Sequence, residues 1–159
     1  MYEKIMVAVD GSASSKRALA EAVKVALAAG AHVSVVYVVD KSVLFTYAGR
    51  FDPHTLIDEI REDGIKVLRE AEQIIALAGA KGDAELVETE SIGEDIAERL
   101  QRYVKERGID LAVVGTHGRR GFRRVLLGSV AERFLRGSNC PVLLIRGDDA
   151  DVPAAAAAA

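Results

Sequence analysis

The chain holds a single cysteine, Cys140, so no internal disulfide can form and a reducing compartment suits it. Cys140 precedes Pro141 at the entrance of an apolar run, where simple packing is expected. No apolar run approaches the roughly 20 residues that cross a bilayer, and no cleavable signal pattern opens the chain. A cytoplasmic location without membrane partners is therefore expected. Excess charge is also scarce. Lys and Arg number 21 against 24 Asp and Glu, and the formal net charge of -3 gives no general pull toward nucleic acid. His32 and His54 have no acidic or cysteine partner at ligand spacing, so no metal site made by the protein alone is expected. Internal repeats and domain linkers are absent. At 159 residues, half of them hydrophobic and 28% charged, the chain reads as one domain with one substantial core. That domain is expected over residues 1–146. The acidic, then alanine-rich tail 147–159 has no core to join and is expected to be disordered.

Periodicity supplies the fold class. Residues 4–9 and 32–39 are short apolar runs of the kind buried on both faces in parallel sheets. Residues 84–90 alternate more and read as an edge strand; residues 111–114 and 142–145 are two more apolar runs. Helical spacing fills the gaps. Ser14 or Ser15 is expected to cap the first helix, which stops at Gly30. Pro53 starts a long one that runs to Gly79, with Gly64 interrupting its pattern. A third is expected from Ser91 to Gly108, and a fourth follows Ser129. Residues 41–52 lose the pattern, and their aromatic residues suit a mobile flap over the site or a contact with a neighbouring subunit. The order β-α-β-α-β-α-β-α-β implies a parallel five-stranded sheet in a three-layer α/β/α fold. Ligands of such sheets bind beyond the carboxyl ends of the strands, where strand order reverses. If the first and fourth strands are the neighbours at that point, Asp10 and Gly115 face each other across one crevice.

The strongest chemical signal is Gly115-x2-Gly118-x9-Gly128-Ser129, set between a strand and a helix. Glycines let backbone N–H groups approach a ligand, and a helix N-terminus favours negative charge. The spacing matches neither the GxGxxG dinucleotide fingerprint nor a Walker A loop. Arg119, Arg120, Arg123 and Arg124 crowd the same loop and suit phosphate. From the residues alone, a polyphosphate clamp and a flexible basic surface loop remain equal alternatives. Asp10 reads as a ligand group or a turn former. His117 reads as a phosphate donor or an exposed loop histidine.

The stretch GTHGRRGFRRVLLGSVAERFLRGSNCPVLLIR resembles the C-terminal portion of the universal stress protein family. KIMVAVDGSASSKRALAEAV resembles its N-terminal portion, and VSVVYVVD its second strand. Residues 1–146 are covered, and Gly115, Gly118, Gly128 and Ser129 match the motif G-x2-G-x9-G-(S/T) of the family's ATP-binding subset. The resemblance implies a Rossmann-like, adenine nucleotide alpha hydrolase-like sheet with strand order 3-2-1-4-5. It implies ATP as ligand, with Mg²⁺. Asp10 then looks like the ribose ligand, and Ala8, Val9 and Val38 like the adenine-lining positions. Gly115, Thr116, His117 and Gly118, with Gly128, Ser129 and Val130, look like the phosphate clamp, Ser129 on a phosphate oxygen or Mg²⁺, and Val114 and Arg119 join the nucleotide-binding positions. A homodimer through the last strand, residues 142–145, is implied as well.

No acid–base pair, Ser-His-Asp order or kinase signature stands out. The expected function is therefore a nucleotide-dependent regulatory protein of the stress response, switching conformation or partner, with no catalytic residues assigned. Two alternatives remain: a slow ATPase or autophosphorylating protein using the same pocket, and a nucleotide-independent interaction module.

Overall fold

A computed structural model describes residues 1–50, 52–90, 93–118 and 127–147. Strands and helices alternate as expected: β1 (Lys4–Ala8), α1 (Ala13–Ala29), β2 (His32–Val39), α2 (Val43–Thr46), α3 (Pro53–Ala78), β3 (Lys81–Glu88), α4 (Ile96–Arg107), β4 (Leu111–Gly115), α5 (Ser129–Gly137) and β5 (Val142–Ile145). The sheet order is β3-β2-β1-β4-β5, with every neighbouring pair parallel. The expected order 3-2-1-4-5 and the three-layer architecture are thus observed.

Side chains of a strand alternate between faces, and the two faces build two cores. Ile5, Val7 and Val9, with Val33, Val35, Val39, Leu111 and Val113, pack under α1 and α3. Met6, Val36, Val87, Ala112 and Val114 pack under α4 and α5, with Leu100, Tyr103 and Phe134 filling the space between. Ala8 and Val38 sit at the margin of this second core, half-buried near the carboxyl ends of their strands.

Several local expectations are corrected by partners the sequence does not display. Helix α1 is capped by Ser12, whose side chain accepts from the Ser15 N–H; Ser14 and Ser15 are both buried inside its first turn. Helix α4 begins only at Ile96, because Asp95 and Glu98 close a reciprocal capping box there; the expected start at Ser91 lies outside the described residues. Strand β3 starts at Lys81 rather than 84, since pairing with β2 runs from His32↔Lys81. Gly82 within it lies so close to β2 that a β-carbon would meet the Val33 carbonyl at 2.5 Å.

In α3 the sheet-facing line is Ile57, Gly64, Leu68, Ala71 and Ile75, and the apolar Ile65 next to Gly64 is exposed. Gly64 is the reason. A β-carbon there would stand 2.7 Å from the Tyr37 ring, so the helix lies closer to β2 than any side chain at 64 permits. The interruption in the pattern marks a contact rather than a break. Residues 41–50 contain the short helix α2, and Val43 and Leu44 pack on the α1/α3 core. These two side chains anchor the start of the segment on that side of the sheet.

The two edges differ. Strand β3 presents Lys81, Asp83, Glu85 and Glu88 along its length. Glu88 at its carboxyl end binds Arg61 of α3 at 2.6 Å (Nε to Oε1) and Lys41 at 3.2 Å, while its carbonyl accepts from Arg99 of α4. The Arg61 guanidinium, ahead of Lys41, holds the Glu88 carboxyl below the usual carboxylate range. Strand β5 is short and uncharged, VLLI, and all four residues are half-buried.

Candidate functional site

Strand order reverses between β1 and β4, since β1 continues to β2 on one side and pairs with β4 on the other. A crevice opens beyond their carboxyl ends. The chain after β1 turns at Gly11 (φ +83°), and Ser12 N–H donates to Asp10 Oδ1 at 2.9 Å. Asp10 N–H is bound to Ser15 Oγ at 3.3 Å. The carboxylate is therefore fixed at the mouth of the crevice. A β-carbon at Gly118 would stand 3.1 Å from Asp10 Oδ2, which places the loop after β4 directly opposite.

That loop is closed at its base. Thr116 N–H donates to the Ile145 carbonyl at 2.9 Å, and Gly128 N–H donates to the Thr116 carbonyl at 2.6 Å. The second bond brings both ends of the glycine segment together. Ser14, from the first turn of α1, is the pin beneath them. Its hydroxyl donates to the Ile145 carbonyl at 3.2 Å, and Gly115 leaves no room for a β-carbon, which would stand 2.9 Å from the Ser14 carbonyl carbon. His117 Nδ1 pairs with Thr116 Oγ1 at 3.0 Å. Gly128 is the N-cap of α5 in extended geometry, and Ser129 is the first helical residue. The arrangement brings a fixed carboxylate, the two ends of the glycine segment and a helix start to one rim of the sheet, groups that suit an anionic ligand with a hydroxyl-bearing body.

Beside it, between α4 and α5, runs a cleft of about 170 Å³ lined by Asp40, Asp95, Ile96, Ala97, Ser129, Val130 and Arg133. That volume is below the ~300–1,000 Å³ of a complete small-molecule pocket, so it suits part of a ligand. Asp40, just beyond β2, is held by the N–H and hydroxyl of Ser42, each at 2.9 Å.

Comparison with known proteins decides the identity of the unit. The universal stress protein family is matched over residues 1–146. Universal stress protein YxiE of Bacillus subtilis (strain 168) is 34% identical over 92% of this chain and 100% of its own length. The chain belongs to the universal stress protein family. A universal stress protein of Burkholderia pseudomallei, solved by crystallography, is 42% identical with a TM-score of 0.75, covering 91% of this chain and 96% of its own. The universal stress protein of Archaeoglobus fulgidus, solved in complex with dAMP, is 27% identical with a TM-score of 0.66, covering 91% and 98%.

In this universal stress protein the residues singled out from sequence fall in distinct places. Asp10, Gly115, Thr116, His117, Gly118, Gly128, Ser129 and Val130 surround the crevice and the adjoining cleft. Ala8 and Val38 lie on the α4/α5 face near it. The Val9 and Val114 side chains are 6% and 5% exposed and point into the two cores, leaving only their backbone for a ligand. Arg119 and the other loop arginines lie outside the described residues. Asp40, Asp95, Ile96, Ala97 and Arg133 carried no expectation as site residues, and Ser14 only one as a helix cap. Asp95-x2-Glu98 carried a capping-box signal that locates the start of α4, and Arg133 lies one helical turn beyond Ser129.

Proposed function

We propose that this universal stress protein binds ATP, with Mg²⁺, in the crevice between β1 and β4 and serves as a nucleotide-dependent regulator in the stress response, acting through a change of conformation or partner. The observation that carries the proposal is the cradle formed by Gly118 and Gly128. Both keep clear a space that a β-carbon would fill, opposite the Asp10 carboxylate and beside the Thr116 carbonyl. The donor set fits a nucleotide. Asp10 accepts from the ribose hydroxyls; Ala8, Val9 and Val38 border the adenine; the backbone from Val114 through Gly118 and from Gly128 to Val130 faces the phosphates. His117 and Arg119 add donors for the phosphates, and the Ser129 hydroxyl meets a phosphate oxygen or the Mg²⁺. The dAMP complex of the Archaeoglobus fulgidus relative supports an adenine nucleotide. A cytoplasmic setting belongs to the same proposal, supported by the single cysteine.

Calorimetric titration with Mg-ATP tests it, after mass spectrometry has checked the purified protein for carried-over nucleotide. A saturable isotherm, or a nucleotide retained through purification, is expected. No heat up to millimolar ATP in nucleotide-free protein would sink the proposal.

We also propose a homodimer through β5. Thr116 and Ala112 donate to the carbonyls of Ile145 and Pro141, so in a parallel ladder the alternate residues, Val142 and Leu144, turn their backbone groups outward. An uncharged, half-buried edge of this kind invites pairing, whereas the charges of β3 discourage it. Analytical ultracentrifugation is expected to give twice 17.0 kDa. A single monomeric species at ~100 μM, far above the Kd of a stable dimer, contradicts it.

A further inference from the structure

The face of α5 that opens on the cleft carries Ser129 and Arg133. Residues four apart on a helix stand one above the other, so an anion held at the Ser129 hydroxyl lies within reach of the Arg133 guanidinium. In this structure Arg133 Nη1 donates instead to Asp95 Oδ2. Asp95 does not depend on that partner for its place. Its Oδ1 accepts from Glu98 N–H at 2.9 Å, and its own N–H donates to Glu98 Oε2 at 3.0 Å.

The Arg133 side chain is 67% exposed and that of Asp95 30%, so the pair is solvated and contributes little to stability. Such a bond is easily exchanged for a stronger one, and a phosphate oxygen offers a guanidinium a charge-assisted, bidentate partner. Electrostatics favour the exchange further. Asp40 and Asp95 bring two carboxylates to the cleft, and among the described residues that line it Arg133 is the cation. Without Arg133, a phosphate entering the cleft would have only the Ser129 hydroxyl and the start of α5 to offset two carboxylates.

The order of contacts indicates which phosphate. Starting from Asp10, the site runs to Gly118, then Gly128, Ser129 and, one turn or about 5.4 Å along α5, Arg133. A monophosphate next to a ribose at Asp10 would stop near Gly118, and only a longer phosphate chain would extend past Ser129.

We propose that Arg133 reads the length of the phosphate chain: with a triphosphate bound it leaves Asp95 and pairs with the terminal phosphate, so that ATP is preferred over AMP. The inference rests on the nucleotide-binding proposal above and deepens it. Asp95 is the competitor in this exchange, holding Arg133 when the long chain is absent. Bound nucleotide would thereby alter the link between the start of α4 and the start of α5, a local change that depends on phosphate number.

Affinities of Mg-ATP and AMP for the wild type, Arg133→Gln, Arg133→Lys and Asp95→Asn, measured by calorimetry at one ionic strength, test it. Arg133→Gln is expected to weaken ATP by about tenfold, as for loss of a charged hydrogen bond, and to leave AMP within about twofold. Arg133→Lys should recover part of the loss, since charge returns without the fork. Asp95→Asn keeps a capping oxygen for Glu98 but removes both the competitor and a like charge. It is expected to tighten ATP about threefold and leave AMP unchanged; a merely structural Asp95 would not improve binding. Equal losses for ATP and AMP in Arg133→Gln, no loss for either, or weaker ATP binding in Asp95→Asn would overturn the inference while the nucleotide proposal stands. A wild type that binds neither nucleotide overturns both. Matching far-UV dichroism and melting curves confirm that each variant compared is folded.

Discussion

Gly128→Val is expected to lower ATP affinity by at least ~100-fold, about 2.7 kcal/mol, in a chain that remains folded. The backbone at Gly128 is extended, with φ −66° and ψ 157°, a conformation that valine adopts readily. Glycine is therefore not needed there for its freedom of rotation. It is needed for space. A β-carbon would stand 3.0 Å from the Thr116 carbonyl oxygen, 3.6 Å from His117 Cα and 3.8 Å from Gly118 N. Two γ-methyl groups beyond it would occupy the room between the two halves of the loop, where the proposed phosphates lie. They would also stretch the 2.6 Å bond from Gly128 N–H to Thr116 O, which closes the loop base. Calorimetry with Mg-ATP, beside far-UV dichroism and sedimentation of the same sample, checks the result. Undiminished binding would show that the loop is not the clamp.

Phe134→Ala is expected to destabilise the fold by about 3–5 kcal/mol, the range for truncating a fully buried aromatic residue. Phe134 is 0% exposed, and only it and Ala131 anchor the nine residues of α5 among the described core. A helix of that length has no stability of its own in water, so its position depends on this ring. At ~2–4 °C per kcal/mol for a chain of this size, the melting temperature should fall by about 10 °C. Urea unfolding with an unchanged m-value measures the loss directly. Nucleotide affinity should fall with it, because Gly128, Ser129 and Arg133 all ride on the start of this helix. A cost below ~1 kcal/mol would mean that the second core is not closed by α5 as described.

These two residues show different routes from sequence to function. Gly128 was visible in advance, because the spacing Gly115-x2-Gly118-x9-Gly128-Ser129 is local and stands at a strand–helix junction. Phe134 falls in the helix expected after Ser129, but its equally apolar neighbour Leu135 is 43% exposed. A nine-residue helix has room for one narrow buried line, and only the direction of its docking selects it. Gly64 was read as a weakness in α3, whereas it is the point of closest approach to Tyr37. Glycine carries no side chain from which a pattern could be read, so its partner had to be seen.

The sequence by itself determined the alternation of strands and helices, the parallel sheet and the glycine segment between the fourth strand and the last helix. Each depends on short-range periodicity, turn chemistry and the handedness of crossovers, all of which are written in neighbouring residues. Only the tertiary structure decided that Ser14 pins the loop to β5, that Asp95 holds Arg133 beside Ser129, and that Val43 and Leu44 rest on the α1/α3 core. The first two of those contacts join residues 131 and 38 positions apart. No local preference encodes such pairs; they arise because packing two layers of helices on one sheet brings the ends of separate elements to the same rim.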